Sequence, residues 1–392
     1  MNDDATLADG SAAAPPALVF APAVAGAPGA LAGLRVVDLA RVLAGPYCTQ
    51  ILADHGADVL KIEPPGGGDE TRGWGPPFDA EGRAAYYRGL NRNKRGCTLD
   101  LTQPAAREAL LALLADADVL VENFKAGTME KWGLGPEVLT QRFPRLVYAR
   151  VTGFGADGPM GGLPGYDAAI QALSGMMSVN GEPEARGGEP LRVGVPVVDM
   201  VTGLNTALGI LMALQERHHS GRGQYVEVAL YDAALSVLHP HAANHLQDGR
   251  MPRRTGNAHP NICPYDTFRT GTEPIFLAVG NDRQFATLCQ HLDAPGLPQD
   301  PRFATNAQRS ANRDALKQLL EQKMAGLACK PLANRLVRAG VPCAPIQDVP
   351  GALADPHTAH RGMVVAIGDD YRGVASPVKL ARTPASYRLP PP

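Results

Sequence analysis

Short apolar runs alternate with helical periodicity from Leu34 onward. The runs LRVVDLA, ADVLKIE, ADVLVENF and LVYARVTGF have the length and composition of buried strands. Between them, GPYCTQILADHG and AAREALLALLADA carry apolar residues at helical spacing. Such alternation predicts repeated βαβ units and therefore a parallel sheet covered by helices, with right-handed connections.

The pattern changes near residue 236. Residues 239–256 show no clear periodicity and suggest a connection, whereas TEPIFLAVG favours a strand and RQFATLCQHL and ANRDALKQLLEQKMAGLA favour helices. We therefore predict an α/β protein with a large domain over 31–235 and 345–392. A linker over 236–256 and a small α+β domain over 257–344 complete the prediction. Residues 1–30, rich in Ala, Pro and Gly, predict a disordered extension.

Composition and charge argue against several kinds of partner. The 392 residues carry a formal net charge of −2, which gives no reason to expect nucleic acid or an anionic membrane as a partner. We expect no membrane span, because no apolar run approaches the roughly 18 residues that one needs. The six cysteines are scattered without zinc-site spacing, so we expect reduced structural thiols, a cytoplasmic protein and no metal.

The first turn after a strand reads ARVLAGP. It lacks the GxGxxG pattern of dinucleotide sites, and GxxxxGK[ST] occurs nowhere in the chain. The sequence therefore predicts a Rossmann-like sheet without a dinucleotide phosphate motif. A ligand that contains a nucleotide could still bind where the strands end.

The segment GVPVVDMVTG, residues 194–203, places Asp199 at the predicted start of a long helix that ends at Gly221. Val197 and Val198 are expected to be extended. At the positive end of a helix a carboxylate is expected to stay ionised at neutral pH and to be able to attack an activated carbonyl. The segment alone leaves a second interpretation open, that Asp199 is only an N-cap.

Other polar groups lie in predicted loops. GGGDETRGWGPPF contains Arg72, and NRNKRG contributes Arg92, Lys94 and Arg95 just before a predicted strand. Either loop could be solvated, or its arginines could bind phosphates or a carboxylate. ENFKAGTMEKWGLG begins where a strand should end, a position typical of ligand binding. Further candidates are Tyr166, Asp167, which we interpret as a helix cap, and His259 in a Gly/Asn/Pro loop.

Several segments together resemble the class III coenzyme A transferases of the CaiB/BaiF type, from about Leu31 to Pro390. The resemblance is carried, in this order, by LAGLRVVDLARVLAGPYCTQILADHGADVLKIEPPGGGD, NRNKRG, ADVLVENFKAGTMEKWGLG, LVYARVTGFGADGP, GYDA, VDMVTG and GRGQYVEVALYDA. It implies that Asp199 is the nucleophile that forms a mixed anhydride and then an aspartyl-CoA thioester. It also implies an interlocked homodimer and no permanently bound cofactor, with the coenzyme A thioester as substrate.

The resemblance also implies which residues bind coenzyme A and the acid substrate. The family's coenzyme A contacts fall on Leu43, Ala44, Leu99, Asn123, Phe124, Lys125 and Lys131. Similarity to the succinate-using members, through TRGWGPPF, RVLAGP, NRNK and GYDA, implies succinyl-CoA as donor and a dicarboxylic acid as the other substrate. The tentative substrate residues are Arg72, Arg92, Tyr166 and His259.

Two alternatives stay open at this point. Racemases of the family place a histidine where this chain has Tyr166, and because tyrosine is a poor base at neutral pH the substitution favours transfer over racemisation. The other alternative is an inactive homologue that only binds acyl-CoA. Pro64, where some family members have arginine, keeps that hypothesis open.

Overall fold

A computed structural model describes residues 19–20 and 29–392. The strands, in chain order, are β1 Arg35–Asp38, β2 Asp58–Glu63, β3 Lys94–Thr98, β4 Val119–Glu122, β5 Val147–Thr152, β6 Tyr225–Ala229, β7 Tyr265–Phe268, β8 Ile275–Ala278, β9 Cys343–Pro345, β10 Val364–Ile367 and β11 Tyr371–Val374.

The helices, in the same order, are α1 Ala44–Asp54, α2 Ala85–Arg88, α3 Pro104–Leu114, α4 Thr128–Lys131, α5 Pro136–Arg142, α6 Asp167–Leu173, α7 Met176–Val179, α8 Val197–Ser220, α9 Leu230–Ser236, α10 His241–Asp248, α11 Asp282–His291, α12 Asn306–Ala311, α13 Arg313–Met324, α14 Cys329–Arg338, α15 Val349–Ala354 and α16 Pro356–His360. Short 3₁₀ turns cover Glu70–Gly73, Glu184–Arg186 and Leu297–Gln299.

Six parallel strands form the main sheet in the order β3-β2-β1-β4-β5-β6. Alternate side chains of a strand face opposite sides of a sheet. Val36 accordingly packs among residues of α1 and α8, whereas Val37 packs among residues of α3 on the other face. The predicted Rossmann-like domain is confirmed, and its strand order reverses between β1 and β4.

Two local predictions were wrong. The strand expected from Cys97 begins at Lys94, so the second half of NRNKRG belongs to β3. Val197 and Val198 are the first two residues of α8 and are not extended. Pro196 supplies a restrained φ of −72° immediately before them, which is compatible with a helix start, and the apolar pattern continues unbroken into the helix.

Helix α8 corrects the expectation of no long apolar segment. Its 24 residues, with mean hydropathy 1.7 over an 18-residue window, are long and apolar enough to cross a membrane by length and composition. Half of that window is buried against the protein, and Arg217 near its end pairs with Asp118 at 2.8 Å. These contacts are those of a core helix in a globular fold.

Contacts group the chain into two compact units. The first comprises residues up to Asp167, Pro196–Ala233 and Met363–Pro392, and contains the six-stranded sheet and the β10–β11 hairpin. The second comprises Ala168–Val195 and Ala234–Gly362. It contains the antiparallel sheet β7-β8-β9 with α11, α13 and α14 packed around it, and this arrangement confirms a smaller α+β part.

The predicted domain limits differ from these units. Residues 168–195 and 345–362 are grouped with the second unit, and the predicted linker contains α10. The disordered extension predicted over 1–30 lies almost wholly outside the described residues. Phe20, which is described, is buried in the first unit beneath the Arg35 guanidinium, 5.7 Å from the ring centroid.

Candidate active site at the carboxyl ends of the parallel strands

A cavity of about 280 Å³ lies in the first unit where the parallel strands end. Its walls come from the segments that follow β1, β2, β4, β5 and β6, and from the start of α8. The lining residues are Arg41, Val42, Leu43, Ala44, Glu70, Asn123, Phe124, Lys125, Ala126, Val151, Thr152, Gly153, Gly162, Leu163, Pro164, Gly165, Tyr166, Asp199 and Leu230.

The position of the cavity follows from the strand order. β1 and β4 are neighbours whose connections run in opposite directions, so the chain leaves a crevice between the turns that follow them. The first turn of α1 enters this crevice because Leu43 and Ala44 line it. A helix start presents unpaired backbone N–H groups, which favour negative charge.

Asp199 lies in this cavity on the first turn of α8 and is 9% exposed. It does not cap its own helix. The capping carboxylate belongs to Asp167, whose Oδ2 accepts hydrogen bonds from the backbone N–H groups of Val198 at 2.8 Å and Asp199 at 3.2 Å. The sequence predicts that Asp167 caps the helix that follows it, AAIQALSG, whereas these two hydrogen bonds are made with the start of α8.

The ionisation of Asp199 differs from the expected one. Burial, and secondarily the negative charge of Asp167, raise the pKa of Asp199 to about 7. The helix N–H groups that could stabilise its carboxylate are bound to Asp167 instead. Asp199 is thus partly protonated near neutral pH, and its ionised form is a stronger nucleophile than an exposed aspartate because little in the site stabilises it.

Side chains from three other segments fix the turn after β1. The amide of Asn123 accepts from the Arg41 N–H at 2.8 Å and donates to the Arg41 carbonyl at 2.7 Å. Asp69 accepts from the Val42 N–H at 3.2 Å, and Val42 has a φ of 70°, which is strained for a β-branched residue. The Lys61 ammonium donates to the Ala40 carbonyl at 2.7 Å and to Asp69 at 3.1 Å.

The residues predicted to contact coenzyme A divide into two groups. Leu43, Ala44, Asn123, Phe124 and Lys125 line the cavity, although both amide heteroatoms of Asn123 are bound to the turn rather than directed to a ligand. The remaining two do not line it: Leu99 is 7% exposed in the hydrophobic core, and Lys131 is an exposed residue at the end of α4.

The loop arginines predicted to bind a substrate carboxylate do not line the cavity. Arg92 is buried and pairs with Asp54 at 2.6 Å. Arg72 is bound to Glu63 at 2.8 Å and to the Tyr87 hydroxyl at 2.6 Å, and its guanidinium lies over the Tyr87 ring. Neither guanidinium is directed at Asp199, because each completes an internal ion pair.

The two other cations of NRNKRG are also engaged internally. Lys94 is fully buried and pairs with Asp38 at 3.0 Å, while Arg95 pairs with Asp58 at 2.9 Å. This segment is therefore neither a solvated basic loop nor a phosphate site, but a set of structural ion pairs at β3.

Of the remaining candidates, Tyr166 lines the cavity and is 54% exposed, with its hydroxyl 3.5 Å from a carboxylate oxygen of Glu70. Partial burial and the charge of Glu70 raise the pKa of Tyr166. His259 belongs to the second unit, where its Nδ1 accepts from the Asn261 N–H at 3.1 Å and its ring packs against Tyr265.

Three residues of the site were not predicted. Arg41 and Glu70 line the cavity, and Tyr86 is close enough to Asp199 that this charge, after burial, helps to raise the pKa of Tyr86 to about 12. Arg41 directly follows the first strand in ARVLAGP, and that position at the strand end was the available signal. Nothing in the local pattern marks Glu70 or Tyr86, because loop packing brings them to the site.

One group of acidic residues among those described has the spacing of metal ligands. It consists of Asp79, Glu81 and Asp370 at the surface. The guanidinium of Arg83 forms ion pairs with all three carboxylates, and Arg88 pairs with Asp79 at 2.8 Å. The three carboxylates therefore belong to an ion-pair network with two arginines.

Comparison with known proteins agrees with this geometry. The sequence profile described as CoA-transferase family III matches residues 31–392. The chain belongs to this family. Among class III CoA-transferases, it is 42% identical to the succinate–glutarate CoA-transferase of Agrobacterium fabrum over 92% of both chains. It is 40% identical to the succinyl-CoA:mesaconate CoA-transferase of Haloarcula hispanica over 91% of both.

A solved structure of a related protein also agrees with this family assignment. The crystal structure of a CaiB/BaiF family protein from Brucella suis superposes with a TM-score of 0.82 at 42% identity, and covers 93% of this chain and 96% of that one. The family resemblance predicted from the motifs is therefore confirmed, as is the class of fold.

Proposed function

We propose that this class III enzyme transfers coenzyme A from succinyl-CoA to a second dicarboxylic acid, with Asp199 as the covalent nucleophile. The observation that carries the proposal is the position of Asp199, a buried carboxylate of raised pKa on a helix start in the cavity at the strand ends. The relatives named for succinate, glutarate and mesaconate support a dicarboxylate pair as substrates.

The first half-reaction begins when the ionised Asp199 attacks the carbonyl carbon of the donor thioester. The carbon–sulfur bond breaks and the CoA thiolate leaves, so Asp199 holds the donor acyl group as a mixed anhydride. The thiolate then attacks the aspartyl carbonyl of the anhydride. The donor leaves as a free carboxylate, and Asp199 becomes an aspartyl-CoA thioester.

The second half-reaction reverses these steps with the acceptor. The acceptor carboxylate attacks the aspartyl thioester and releases the CoA thiolate, which gives a new mixed anhydride. The thiolate attacks the acceptor acyl carbon, and the Asp199 carboxylate leaves. The N–H groups at the start of α1, beside Leu43 and Ala44, are suitably placed in the cavity to stabilise oxyanions that develop in these steps.

We also propose that the enzyme is a cytoplasmic homodimer and needs no resident cofactor. An exposed apolar stripe on α8 supports self-association: Leu204, Leu208, Leu211 and Met212 lie one helical turn apart on one face and are 37–60% exposed. The six cysteines, all within the described part of the chain, are free thiols, which agrees with a reducing compartment.

The decisive experiment is incubation with succinyl-CoA followed by hydroxylamine, which converts an aspartyl thioester or anhydride to a hydroxamate. Peptide mass spectrometry is expected to find the hydroxamate on Asp199 in the wild type and nowhere in Asp199→Asn. Asp167→Asn is the matched control, because it changes the neighbouring carboxyl and leaves the nucleophile. Normal turnover by Asp199→Asn, or a hydroxamate on Asp167, would contradict the assignment.

Acceptor identity is tested with a panel of succinate, glutarate, mesaconate and oxalate against succinyl-CoA. We expect the longer dicarboxylic acids to be used. If the wild type transfers coenzyme A to no acid and forms no adduct, the inactive acyl-CoA-binding alternative is correct instead.

A further inference from the structure

We propose that the Arg41 guanidinium binds the distal carboxylate of the dicarboxylic substrate and so selects dicarboxylic over monocarboxylic acids. This assignment rests on the proposed transferase function and gives it a specificity residue. Arg41 takes the substrate-binding role that the sequence suggested for Arg72 and Arg92, because both of those arginines form internal ion pairs.

Hydrogen bonds from side chains of other segments hold the backbone of Arg41 at the cavity. Its N–H and carbonyl are both bound by the Asn123 amide, and the residues on either side are held by Lys61 and Asp69. These bonds come from side chains of other segments and oppose the strain of the left-handed Val42. The turn is therefore preorganised, and the Cα of Arg41 has little freedom to move away from the cavity.

The side chain of Arg41 remains available for a ligand. Its guanidinium carbon lies 5.1 Å from the centroid of the Phe124 ring, a cation–π contact that positions the charge without neutralising it. Within the described residues no carboxylate forms an ion pair with Arg41, in contrast to Arg72 and Arg92.

Arg41 lines the same cavity as Asp199, the proposed nucleophile. The hydroxyl of Tyr166 experiences the positive charge of Arg41 and the negative charges of Glu70 and Asp199. All four residues line this cavity. A short dicarboxylic acyl group whose reacting carbonyl is at Asp199 can therefore present its other end to Arg41.

The choice of a carboxylate follows from the chemistry of the cation. A guanidinium offers paired N–H donors that match the two oxygens of a carboxylate, which an ammonium cannot reproduce. Lys125 also lines the cavity and is exposed, and the family resemblance implies that it contacts coenzyme A. Glu70 would repel a misplaced carboxylate and thus favours the Arg41 side of the cavity.

The test compares wild type, Arg41→Met and Arg41→Lys with glutarate and pentanoate as acceptors, which have equal chain length. The proposed mechanism is ping-pong, because the donor acid leaves before the acceptor attacks. Under that mechanism kcat/KM for the acceptor reports only the second half-reaction and contains no term for donor binding. We expect Arg41→Met to lower the ratio of kcat/KM for glutarate to that for pentanoate by about tenfold to a hundredfold. Arg41→Lys should lose less, because it keeps the charge.

Lys125→Met is the matched control, since it removes the other cation of the cavity. It should change kcat/KM for both acceptors by the same factor. The proposal is overturned if Arg41→Met leaves the glutarate-to-pentanoate ratio unchanged, or weakens both acceptors equally, as a residue that binds CoA phosphates would.

A second measurement separates this proposal from the proposed function. Glutarate is titrated calorimetrically into Asp199→Asn and into the Asp199→Asn, Arg41→Met double variant, neither of which needs to turn over. Loss of glutarate binding in the double variant alone supports the Arg41 subsite even if the wild type transfers no coenzyme A. Equal binding by both variants, or binding by neither, overturns it.

Discussion

The carboxylate of Asp167 accepts a hydrogen bond from the backbone N–H of Asp199, at 3.2 Å, and a shorter one from the preceding residue Val198. One acidic residue thus caps the helix that carries the other. The cap occupies donors that would stabilise the Asp199 carboxylate, and it adds a negative charge beside it. The consequence is a carboxylate whose negative charge the site does little to stabilise, as the proposed attack of Asp199 on a thioester requires.

The first prediction concerns pH. The pKa of Asp199 is about 7, so kcat/KM for the acyl-CoA donor should rise with pH and reach its midpoint near that value, because only the ionised carboxylate attacks. The measurement is the pH profile of initial rates with succinyl-CoA. A midpoint near pH 4, the ordinary value for aspartate, would show that burial does not control this group.

The raised pKa of Asp199 also predicts how the stability of the folded protein depends on pH. Between about pH 4 and about pH 7 the folded protein retains the Asp199 proton that the unfolded chain has released. The folded state then binds more protons, so the free energy of unfolding should fall as pH rises through this window, by a few kcal/mol at most. Asp199→Asn should not show this loss. Denaturant titrations of both proteins at several pH values measure the difference.

A second prediction concerns Asp167→Asn. The amide oxygen can still accept from Val198 and Asp199, so the cap survives at a cost below about 1 kcal/mol. The negative charge is removed, and the acid limb of the pH profile should move to lower pH. The shift should be partial because burial is the larger cause of the raised pKa.

Asp157→Asn is the control for Asp167→Asn, since it removes an exposed carboxylate of the same unit that does not act on Asp199. Its pH profile should match that of the wild type. An unchanged acid limb in Asp167→Asn would mean that the two carboxyl groups are not electrostatically coupled.

A third prediction distinguishes transfer from racemisation. Racemisation needs a second acid–base group opposite Asp199, and Tyr166 is the residue at the relevant position. Its pKa is raised by partial burial and by Glu70, so its hydroxyl stays protonated and is a poor base. We expect no Asp199-dependent deuterium incorporation at the α-carbon of a 2-methylacyl-CoA in D₂O. Rapid exchange that Asp199→Asn abolishes would assign the enzyme to the racemases.

Much of the fold was predictable because its signals are local. The apolar runs of β1, β2, β4 and β5 and the periodicity of α1 and α3 lie in contiguous sequence, and their alternation specifies a parallel sheet. The cavity at the strand ends follows from that topology. Five of the seven predicted CoA-contact residues line it, whereas Leu99 and Lys131 do not.

The chemistry of individual charged residues was not predictable in the same way. Arg92 forms its ion pair with Asp54, which lies 38 residues away in the sequence. Asn123 binds the backbone of Arg41, which lies 82 residues away. Whether an arginine serves a substrate or an internal ion pair depends on such distant partners. Local sequence contains no information about such distant partners, so it does not reveal that Arg92 forms an internal ion pair whereas Arg41 lines the cavity.

A fourth prediction concerns the close contact between α8 and α1. A Cβ added at Gly203 would lie 2.6 Å from the Ala44 carbonyl oxygen and 3.1 Å from the Tyr47 ring. Alanine in a helix normally stabilises by roughly 0.5–1 kcal/mol relative to glycine. Here the clash with backbone should dominate, and Gly203→Ala should lower both Tm and turnover because Ala44 borders the cavity.

Gly67→Ala provides the comparison for Gly203→Ala, because a Cβ at Gly67 meets nothing within 4 Å. Thermal unfolding and steady-state rates of the two variants decide the question. A Gly203→Ala protein more stable than the wild type would show that α8 can shift away from α1 without cost.

The last prediction concerns the apolar stripe of α8. Leu208 is 49% exposed at its centre and Met212 is 60% exposed one turn later, on a helix whose opposite face carries the buried Ile210. Solvent contact by so many large apolar side chains on one face is unfavourable, and a second copy of the chain would cover it. Leu208→Asp should therefore shift the sedimentation coefficient from dimer to monomer, because it places a charge in the buried interface. Gln141→Asp, which adds the same charge at an exposed polar residue on another helix of the first unit, α5, should leave the dimer intact. A wild-type protein that sediments as a monomer, or a Leu208→Asp variant that remains dimeric, would show that this stripe does not form the subunit interface.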